Sequence, residues 1–477
     1  MHPRRFDVVI VGSGYAGIVA AHKLADHRVR VLLLDENLRP GGQFLRSYPQ
    51  TWSTERPCAS DRWTRMGLRL IDRLRKKGVE IMNRTRVLGF YDQGEILVEE
   101  DEKRVFILKP EIILFATGAR EKFLPFKGWT LPGVLSTGAV QILLKNFGIL
   151  ASREILIGGS GFFLVAVACQ FLKNGGRVRS VLDEGSLLSP IPTARVLFKH
   201  LPKFLEGAGY LSRTFFSGVP LRSRTRIIEA RGEKGLEGVV TSRLNRMGDL
   251  IEGSERIYPL DTLAVGFGFC PNIELPQLAG CELEYEEDKG GWIVRVEEGL
   301  QTSIENIFAA GEITGIGGAR KSIAEGCISA LSILCKLGKK AENKSLLRLK
   351  KERMDHMEFG KYFNDRCKIP RRAVASIPDE TVVCRCEDVR MGEIRKAVQE
   401  GAHTPEALKR ALRIGMGNCQ GKICGPILYD ILSLYTRRPA EEIPPFSVRS
   451  PIKPLDIRSL LTFESQKGET DGRERKW

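Results

Sequence analysis

The chain has 477 residues, of which 42% are hydrophobic, and a formal net charge of +16 at pH 7. This length suits about three domains, and the hydrophobic content is that of a globular protein with buried cores. Seven of the eleven cysteines are scattered without the even framework of a secreted, disulfide-linked domain. The sequence therefore predicts a reducing, cytoplasmic location.

The positive charge is uneven and forms a dense cluster at residues 336–372. The cluster has few aromatic residues and no recognised nucleic-acid motif, so we expect no nucleic-acid partner. A basic linker that docks an acidic partner subunit, or that stays solvated, is the preferred interpretation. The uncharged run at residues 155–172 is interrupted by GGSG and Gln170, so no transmembrane span is predicted. A peripheral contact with a membrane is left open.

The N-terminus has the pattern of a strand, a glycine turn, a helix and a second strand. Gly12 permits a tight turn, Gly14 lets the backbone approach a pyrophosphate, and Gly17 allows close packing of helix and strand. The start of the helix offers N–H groups and the positive end of its dipole to that anion. Asp35 and Glu36 follow at the spacing where a carboxylate accepts a hydrogen bond from an adenosine ribose. The pattern predicts a dinucleotide site.

Two further loops are expected beside the same cofactor. The PGGQ loop, with Gly42 and Gln43, follows directly and is flexible enough to pass close to a bound group. Thr117 and Gly118 come after a buried strand in the segment IILFATGAR.

The middle of the chain repeats the dinucleotide plan less regularly. Gly159 and Gly161 are present, but Leu164 stands where the third glycine is expected. Asp183 and Glu184 end the following strand, and their charge would repel a 2′-phosphate, which disfavours NADP. Three interpretations remain open: a working NAD site, a site for another adenine nucleotide such as ATP or ADP, or a relic that only packs. The last two are preferred.

A third glycine-rich region follows, in which a strand ends at Gly311 and Glu312. This pattern resembles the returning segment of two-dinucleotide flavoproteins, where the carboxylate holds the ribityl chain of FAD, so Glu312 takes that role by position. A helix that opens at Gly318 and Ala319 would direct its N-terminus at the pyrimidine edge of the flavin. Four segments occur in the order expected for such flavoproteins: the PGGQ loop, IILFATGAR, the strand that ends at Glu312, and the helix that opens at Gly318. Together they predict FAD as the cofactor.

Four cysteines near the C-terminus, Cys384, Cys386, Cys419 and Cys424, read as C-R-C and, 32 residues later, C-Q-G-K-I-C. Four thiolates are the ligand set of a 2Fe–2S cluster. The alternative is a structural zinc site, which takes the same soft ligands. Zinc ribbons usually space each pair as C-x2-C, and C-x-C is too cramped for most of them. The pattern therefore favours an iron–sulfur cluster and, beside a dinucleotide site, electron transfer.

The segments DENLRPGGQ, GFGFCPNIEL, AAGEITGIGGA and VVCRCEDV…GMGNCQGKIC together resemble one family over nearly the whole chain. The family comprises the α (or A/B) subunits of opine oxidases, hydrogen cyanide synthase, dye-linked L-proline and hydroxyproline dehydrogenases and heteromeric sarcosine oxidases. Its C-terminal part resembles a bacterioferritin-associated-ferredoxin-like domain. Two features depart from the pattern: Phe162, Phe163 and Leu164 fill the second fingerprint, and QFLRSYP follows PGGQ where relatives often carry an isoleucine–tyrosine pair.

The resemblance implies a subunit that carries electrons through FAD and a 2Fe–2S cluster and does not itself oxidise the amine. The partner it implies is a β subunit of the D-amino-acid-oxidase type with its own FAD, and a small ferredoxin-like subunit is a further candidate partner. The substrate class would be proline, hydroxyproline, an opine, sarcosine or glycine. The sequence agrees, since none of its six histidines lies in a motif that places a base beside a flavin. No catalytic residue is assigned.

We predict an α/β protein of the disulfide-reductase-like flavoprotein type, with two Rossmann-like dinucleotide-binding domains and a small helical iron–sulfur domain. The predicted parts are an FAD-binding domain at 1–118 and 290–338, a second dinucleotide-binding-like domain at 119–289, a basic linker at 339–375, the cluster domain at 376–440, and a tail at 441–477 with a disordered end. Two alternatives stay open: a self-sufficient NADH-dependent reductase, and a non-catalytic redox-sensing scaffold.

Overall fold

The computed structural model describes residues 5–45, 62–90, 94–185, 193–340 and 345–468. Most of the QFLRSYP segment lies outside these residues. Within them the chain forms two α/β units and a small, mainly helical C-terminal unit. No helix in this described part is both long enough and apolar enough to cross a membrane.

The first unit is built on a seven-stranded sheet. Its N-terminal elements are β1 (Arg5–Val11), α1 (Tyr15–Asp26), β2 (Val31–Leu34), α2 (Arg62–Lys76), β3 (Glu80–Met82), β4 (Thr85–Phe90), β5 (Ile96–Glu100) and β6 (Arg104–Phe115). The strand order is β3-β2-β1-β6-β5-β4, with parallel pairing from β3 to β6 and antiparallel pairing beyond it. Val8, Val9 and Ile10 of β1 are fully buried because both faces of this parallel strand are covered.

The second unit contains a five-stranded parallel sheet in the order β11-β10-β9-β15-β8 and a three-stranded antiparallel sheet, β12-β13-β14. Its elements are β7 (Ala119–Glu121), β8 (Val134–Ser136), α3 (Thr137–Ile142), β9 (Glu154–Gly159), α4 (Phe163–Lys173), β10 (Arg177–Asp183), α5 (Ala194–Lys199), α6 (Leu201–Phe216), β11 (Leu221–Ser223), β12 (Thr225–Arg231), β13 (Gly238–Arg243), β14 (Arg256–Pro259), β15 (Leu263–Gly266) and β16 (Phe269–Pro271). Strands β7 and β16 pair antiparallel where the chain enters and leaves this unit.

The chain then returns to the first unit. The returning elements are α7 (Glu274–Leu278), β17 (Leu283–Glu286), β18 (Gly291–Val294), β19 (Ile307–Ala309), α8 (Ala319–Lys336) and α9 (Leu346–Asp365). Strand β19 completes the first sheet by pairing in parallel with β6. Helix α8 crosses α1 so closely that a side chain at Gly326 would lie 2.4 Å from the carbonyl oxygen of Ala16. The helix that opens at Ala319 is therefore held directly against the helix of the first glycine turn.

The basic segment that was interpreted as a linker contributes helix α9 to the packed structure. His356 and Phe359 on this helix are 5% and 6% exposed, and the ring of Phe359 lies 4.7 Å from that of His200 in the second unit. Residues 346–365 therefore connect the two α/β units as a packed helix, because one face of the helix carries aromatic side chains that burial stabilises.

The C-terminal unit contains α10 (Arg371–Ala375), β20 (Val382–Cys384), β21 (Val389–Arg390), α11 (Met391–Gln399), α12 (Pro405–Leu412), α13 (Cys424–Thr436) and α14 (Ile457–Gly468). The indole N–H of Trp129 donates to the carbonyl of Val382 at 2.6 Å, so this unit is fastened to the second unit. The chain then crosses to the first unit, where the Ile452 N–H donates to Leu88 at 2.8 Å. Residues 457–468 of the predicted tail are helical, and residues 469–477 lie outside the described part of the chain.

Candidate functional site

The three glycines of the first glycine turn differ in the space at their Cβ positions: it is open at Gly14 and blocked at Gly12 and Gly17. A side chain at Gly12, which has φ +108°, would lie 2.3 Å from the Ala116 carbonyl, and one at Gly17 would lie 2.0 Å from the Gly12 carbonyl. At Gly14 no described atom lies within 4 Å of the Cβ position. Gly14 is also the N-cap of α1, and no described side chain caps the helix there. This end of α1 therefore presents backbone and dipole to an anionic group.

The carboxylate of Asp35 holds the first glycine turn in place through hydrogen bonds. The buried carboxylate accepts hydrogen bonds from the Ser13 N–H at 2.8 Å and from the Ser13 hydroxyl, and from the backbone and side-chain N–H groups of Asn37 at 2.8 Å each. These four bonds occupy the lone pairs of both carboxylate oxygens. A ribose hydroxyl would have to replace one of these donors. The neighbouring Glu36 is exposed and pairs with Lys453 instead.

Ser13, which the sequence analysis passed over, joins two of the predicted loops. Its hydroxyl bonds to Asp35 and accepts from the Gly41 N–H at 3.0 Å. A side chain at Gly42 (φ +57°) would lie 2.8 Å from the Cα of Gly14. The loop of Gly42 and Gln43 therefore lies directly against the glycine turn.

The carboxylate of Glu312 accepts from the Gly317 N–H at 3.1 Å, the Gly318 N–H at 2.8 Å and the Ser322 hydroxyl at 3.2 Å. Burial raises the pKa of this carboxyl, while Lys321 and these donors oppose the rise. Gly318 has φ +85°, no described atom lies within 4 Å of its Cβ position, and it is the N-cap of α8 without a described side-chain cap. The open starts of α1 and α8 thus belong to two helices in contact.

Thr117 and Gly118 lie at the end of β6, beside the same turn. The Thr117 hydroxyl donates to the carbonyl of Asn272 at 2.9 Å. Gly118 has φ +73° and open space at its Cβ position. The structure therefore brings the predicted glycines, Asp35, Thr117 and Glu312 to the carboxyl ends of β1, β2, β6 and β19, whereas Glu36 is exposed and pairs with Lys453.

A buried charge network that sequence reasoning missed lies beneath Glu312. The side chains of Lys321 and Glu325 are fully buried and form an ion pair at 2.9 Å. Lys321 donates to the Gly311 carbonyl and the Thr314 hydroxyl at 2.5 Å each. Glu325 accepts from the Gly311 N–H at 2.8 Å and from Arg353 of α9 at 2.9 Å. The network holds the loop at residues 311–315, and the i, i+4 spacing of its first two members is its only signal in the sequence.

At the second glycine turn, the space beside Gly161 is filled by another part of the protein, whereas the corresponding space at Gly14 of the first turn is open. A side chain at Gly161 would lie 2.6 Å from the sulfur of Cys367, and one at Gly268 would lie 2.5 Å from the Cβ of Cys367. The Cys367 thiol donates to the Ser160 carbonyl at 3.6 Å. Cys367 follows the end of α9, so this part of the basic segment covers the second turn.

Aromatic side chains and fixed carboxylates complete this closure. The ring of Phe162 packs against Phe363 of α9 with 5.2 Å between centroids. Asp183 accepts from the Gly161 N–H at 3.2 Å, and Glu184 forms a buried ion pair with Arg226 at 2.9 Å. Burial raises the pKa of both carboxyls. The acids predicted to face a ribose are therefore engaged with the protein.

The four C-terminal cysteines lie together as two hydrogen-bonded pairs, Cys384 with Cys424 and Cys386 with Cys419. Cys384 and Cys424 are buried and Cys386 is exposed. The hydrogen bond from Cys424 and surrounding backbone N–H groups hold the pKa of the Cys384 thiol at about 5, against the effect of burial. Among the described residues, no three His, Cys, Asp or Glu side chains converge as ligands of a single ion. Four thiols in two pairs fit a two-iron cluster.

Local structure explains why the cysteines meet. Cys384 ends β20 and Cys424 begins α13. A side chain at Gly417 would lie 2.2 Å from the Cβ of Cys386, so the glycine lets the loop before Cys419 pass directly against the C-R-C turn.

Arg120 connects the cysteine loop with the first glycine-rich site, and sequence reasoning gave it no role. It follows Gly118 by two residues, and its guanidinium pairs with Glu274 at 2.7 Å and donates to Asn272 at 2.8 Å. It also donates to the carbonyl of Lys422, which lies between Cys419 and Cys424, at 3.0 Å. One hydrogen bond of Arg120 thus joins the segment after β6 to the cysteine loop, while Glu274 and Asn272 hold the guanidinium in place.

The chain matches two family models. Residues 6–326 match the family model described as pyridine nucleotide-disulphide oxidoreductase, and residues 382–433 match the BFD-like [2Fe-2S] binding domain. The chain is 30% identical to a subunit of the opine oxidase of Rhizobium meliloti, over 95% of this chain and 87% of that protein. It is 32% identical to hydrogen cyanide synthase subunit HcnB of Pseudomonas aeruginosa, over 96% and 99% of the two chains.

Among solved structures, L-proline dehydrogenase from P. horikoshii superposes with a TM-score of 0.70 at 19% identity, covering 95% of this chain and 79% of that one. This likeness supports the α/β fold together with its small C-terminal unit. The matching families imply a flavin and a 2Fe–2S cluster. The residues present fit both groups, because Gly14 and Gly318 leave open the cradle that side chains would fill, and because two neighbouring pairs of thiols lie at residues 384–424.

Proposed function

Because the chain belongs to the pyridine nucleotide-disulphide oxidoreductase family, we propose that it is the electron-transfer subunit of a heteromeric FAD-dependent dehydrogenase or oxidase. The observation that carries this proposal is the bond of Arg120 to the Lys422 carbonyl, which joins the glycine-rich site to the cysteine loop within one chain. A flavin accepts an electron pair, and a 2Fe–2S cluster carries single electrons onward. A chain that couples the two sites suits transfer between them.

We assign the binding roles to the residues whose geometry suits them. Gly14 and the start of α1 would hold the pyrophosphate, and Glu312 would orient the ribityl chain. Gly318 and Ala319 at the start of α8 would face the pyrimidine edge of the flavin, since a helix N-terminus favours negative charge there. Asp35 would position the adenosine ribose indirectly, by holding the glycine turn in place. Cys384, Cys386, Cys419 and Cys424 would be the cluster ligands.

The names of the relatives support a proposal for the partner and the substrate. Two of them are named as subunits, of an opine oxidase and of a hydrogen cyanide synthase, and others are named as the α subunit of sarcosine oxidase. We therefore propose a second, FAD-containing subunit of the D-amino-acid-oxidase type that oxidises an amino acid or secondary amine. A small ferredoxin-like subunit remains a candidate third member, and the complex would work in the cytoplasm.

The second glycine turn favours this function over a self-sufficient NADH-dependent reductase. Cys367 covers Gly161, and Phe363 packs on Phe162, where a dinucleotide would have to approach. We propose that this turn serves packing in the present conformation and takes neither NAD nor ATP. Rapid bleaching of the flavin by NADH in the isolated chain is the result that would establish the reductase instead.

The first prediction concerns the cluster. We expect protein purified without oxygen to contain about two iron atoms per chain, from the four-thiolate ligand set. Replacing any one of Cys384, Cys386, Cys419 or Cys424 with serine should abolish most of the iron and leave the flavin bound, since the flavin residues lie in another unit. Iron analysis and absorbance spectra measure both groups. The matched control is Cys335→Ser, at an exposed cysteine outside the site. Stoichiometric zinc without iron, in cells supplied with iron, would contradict the assignment.

The second prediction tests the division of labour. The isolated chain should show negligible dye-linked activity with proline, hydroxyproline, sarcosine, glycine or opines, because no base is placed at its flavin site by any motif. Co-expression with a D-amino-acid-oxidase-like partner should restore that activity. A Cys424→Ser complex should still show reduction of the partner's flavin by substrate but lose delivery to the dye. Robust amine oxidation by the isolated chain would overturn the proposal, and restored turnover in the complex would exclude the non-catalytic scaffold.

A further inference from the structure

A cleft that is partly open to solvent lies where strands β7 and β16, the β17–β18 hairpin and the cluster helix α13 meet. It is separate from the glycine turns and from the four thiols, and none of the roles assigned above uses it. Its walls include Arg120, Lys122, Tyr285, Trp292, Tyr429 and Asp430. The cleft thus draws its lining from all three units of the protein.

Most charged groups around the cleft are already paired. Arg120 is neutralised by Glu274 at 2.7 Å, and Lys368 by Glu287 at 3.0 Å. Two opposite charges are left over. Within the described residues, the carboxylate of Asp430 and the ammonium of Lys122 have neither a hydrogen-bond partner nor an ion-pair partner within 4.0 Å. Both residues line the cleft, and Lys122 acts electrostatically on Asp430.

Desolvation acts on Asp430, one of these two groups. Burial raises the pKa of Asp430 to about 7, and the nearby Lys122 opposes the rise only in part. Trp292 lines the same cleft, and its indole nitrogen is buried without a hydrogen-bond partner among the described residues. A buried charge or donor without a partner costs free energy that a bound ligand would recover. The cleft therefore has the properties of an unfilled polar site with aromatic walls.

We propose that this cleft binds a small zwitterion of the amino- or imino-acid class, with its ammonium at Asp430 and its carboxylate at Lys122. A simple anion would leave Asp430 without a partner, and a simple cation would leave Lys122 without one. A zwitterion satisfies both, and its carbon skeleton would lie against Trp292 and the ring of Tyr285, which stack edge to face at 5.5 Å. The choice of amino acids rests on the proposed function, whereas the choice of a zwitterion rests on the cleft.

The site would report amino-acid supply to the electron-transfer subunit. Asp430 is six residues beyond Cys424 on α13, the helix that begins at a proposed cluster ligand. Arg120 lines the cleft and also bonds to the loop of the same cysteines. A ligand seated between Lys122 and Asp430 would therefore tie the cluster unit to the first two units.

The experiment is calorimetric titration of the purified full-length chain, with cofactors bound, against proline, sarcosine and glycine. Pyrrolidine and acetate, which carry one charge each, are the comparison ligands. We expect saturable binding of at least one zwitterion and much weaker binding of both comparison ligands. Asp430→Asn and Lys122→Gln should each weaken it by about ten- to a hundredfold, the worth of a charge-assisted hydrogen bond. Glu400→Gln, at an exposed acid of the same unit, should leave it unchanged.

Three results would overturn the proposal: no binding of any zwitterion, equal binding of acetate or pyrrolidine, or affinities that neither variant changes. Iron and flavin contents of the variants should equal those of the unaltered protein, which shows that a lost affinity is not a lost fold. Because the titration needs no partner subunit, its failure is distinguishable from failure of the proposed electron-transfer function.

Discussion

Protein with valine in place of Gly14 is expected to fold normally and to be purified largely without flavin. The backbone at Gly14 has φ −68° and ψ −175°, which any residue adopts, and no described atom lies within 4 Å of the Cβ position. The branched side chain therefore has room there, and it would project into the space assigned to the pyrophosphate. The visible absorbance of the flavin measures how much cofactor is bound, and a thermal unfolding transition shows whether the variant is folded.

The control for this variant is the neighbouring glycine of the same turn. Gly12→Val should destabilise the protein itself, because its side chain would lie 2.3 Å from the Ala116 carbonyl at a φ of +108°. Gly161→Val, at the equivalent glycine of the second turn, should leave the flavin content unchanged while disturbing Cys367. If Gly14→Val retains full flavin, the N-terminal turn is not the flavin site.

Replacing Glu325 with alanine is expected to cost about 3–5 kcal/mol of unfolding free energy, the usual cost of leaving one member of a buried ion pair alone. The Lys321 ammonium would keep its bonds to the Gly311 carbonyl and Thr314 but lose its counter-ion in a site with no exposed surface. The Gly311 N–H and Arg353 would lose their acceptor as well. Since the loop at residues 311–315 carries Glu312, we expect weaker flavin retention too. Denaturant unfolding and flavin release measure the two effects.

Two further variants separate the charge from the contacts. Lys321→Met combined with Glu325→Leu should recover much of the lost stability, because a buried pair is often replaceable by apolar side chains of similar size. Glu305→Gln, which breaks the exposed pair with Lys336, should cost less than about 1 kcal/mol. Equal losses of unfolding free energy in Glu325→Ala and Glu305→Gln would contradict the stabilising role assigned to the buried network.

The two glycine turns show how far a local motif predicts a site. Both have the first two glycines of a dinucleotide turn, and both form a close turn there, because these glycines are required by contacts within the turn itself. Whether the turn is open depends on residues far away in the chain. Cys367 lies about two hundred residues beyond Gly161 and covers it, whereas none of the described residues covers Gly14. The departures at Phe162 and Leu164 were the only hint of this difference in the sequence.

The basic segment is a second case in which tertiary packing changed the interpretation. Its composition indicated a solvated or partner-docking linker, and six of its twelve described lysines and arginines are exposed. The residues that decide its position are few: Arg353 reaches the buried Glu325, and Phe359 packs against His200. Charge density alone could not show this, because a helix of mixed composition packs on whichever narrow face its apolar residues share.

Local patterns in the sequence were enough to establish the order of the parts: the first glycine turn with its acid, the second turn, the returning strand and the four cysteines. In such patterns the spacing along the chain dictates turns, helix starts and ligand pairs. The contacts that join these parts emerged only from the folded chain. The Arg120 bonds to the cysteine loop, the Lys321–Glu325–Arg353 network, the closure by Cys367 and the leftover charges of Lys122 and Asp430 all link residues distant in sequence. Such contacts depend on how whole units pack, since burial and charge pairing are properties of the assembled core and not of any one segment.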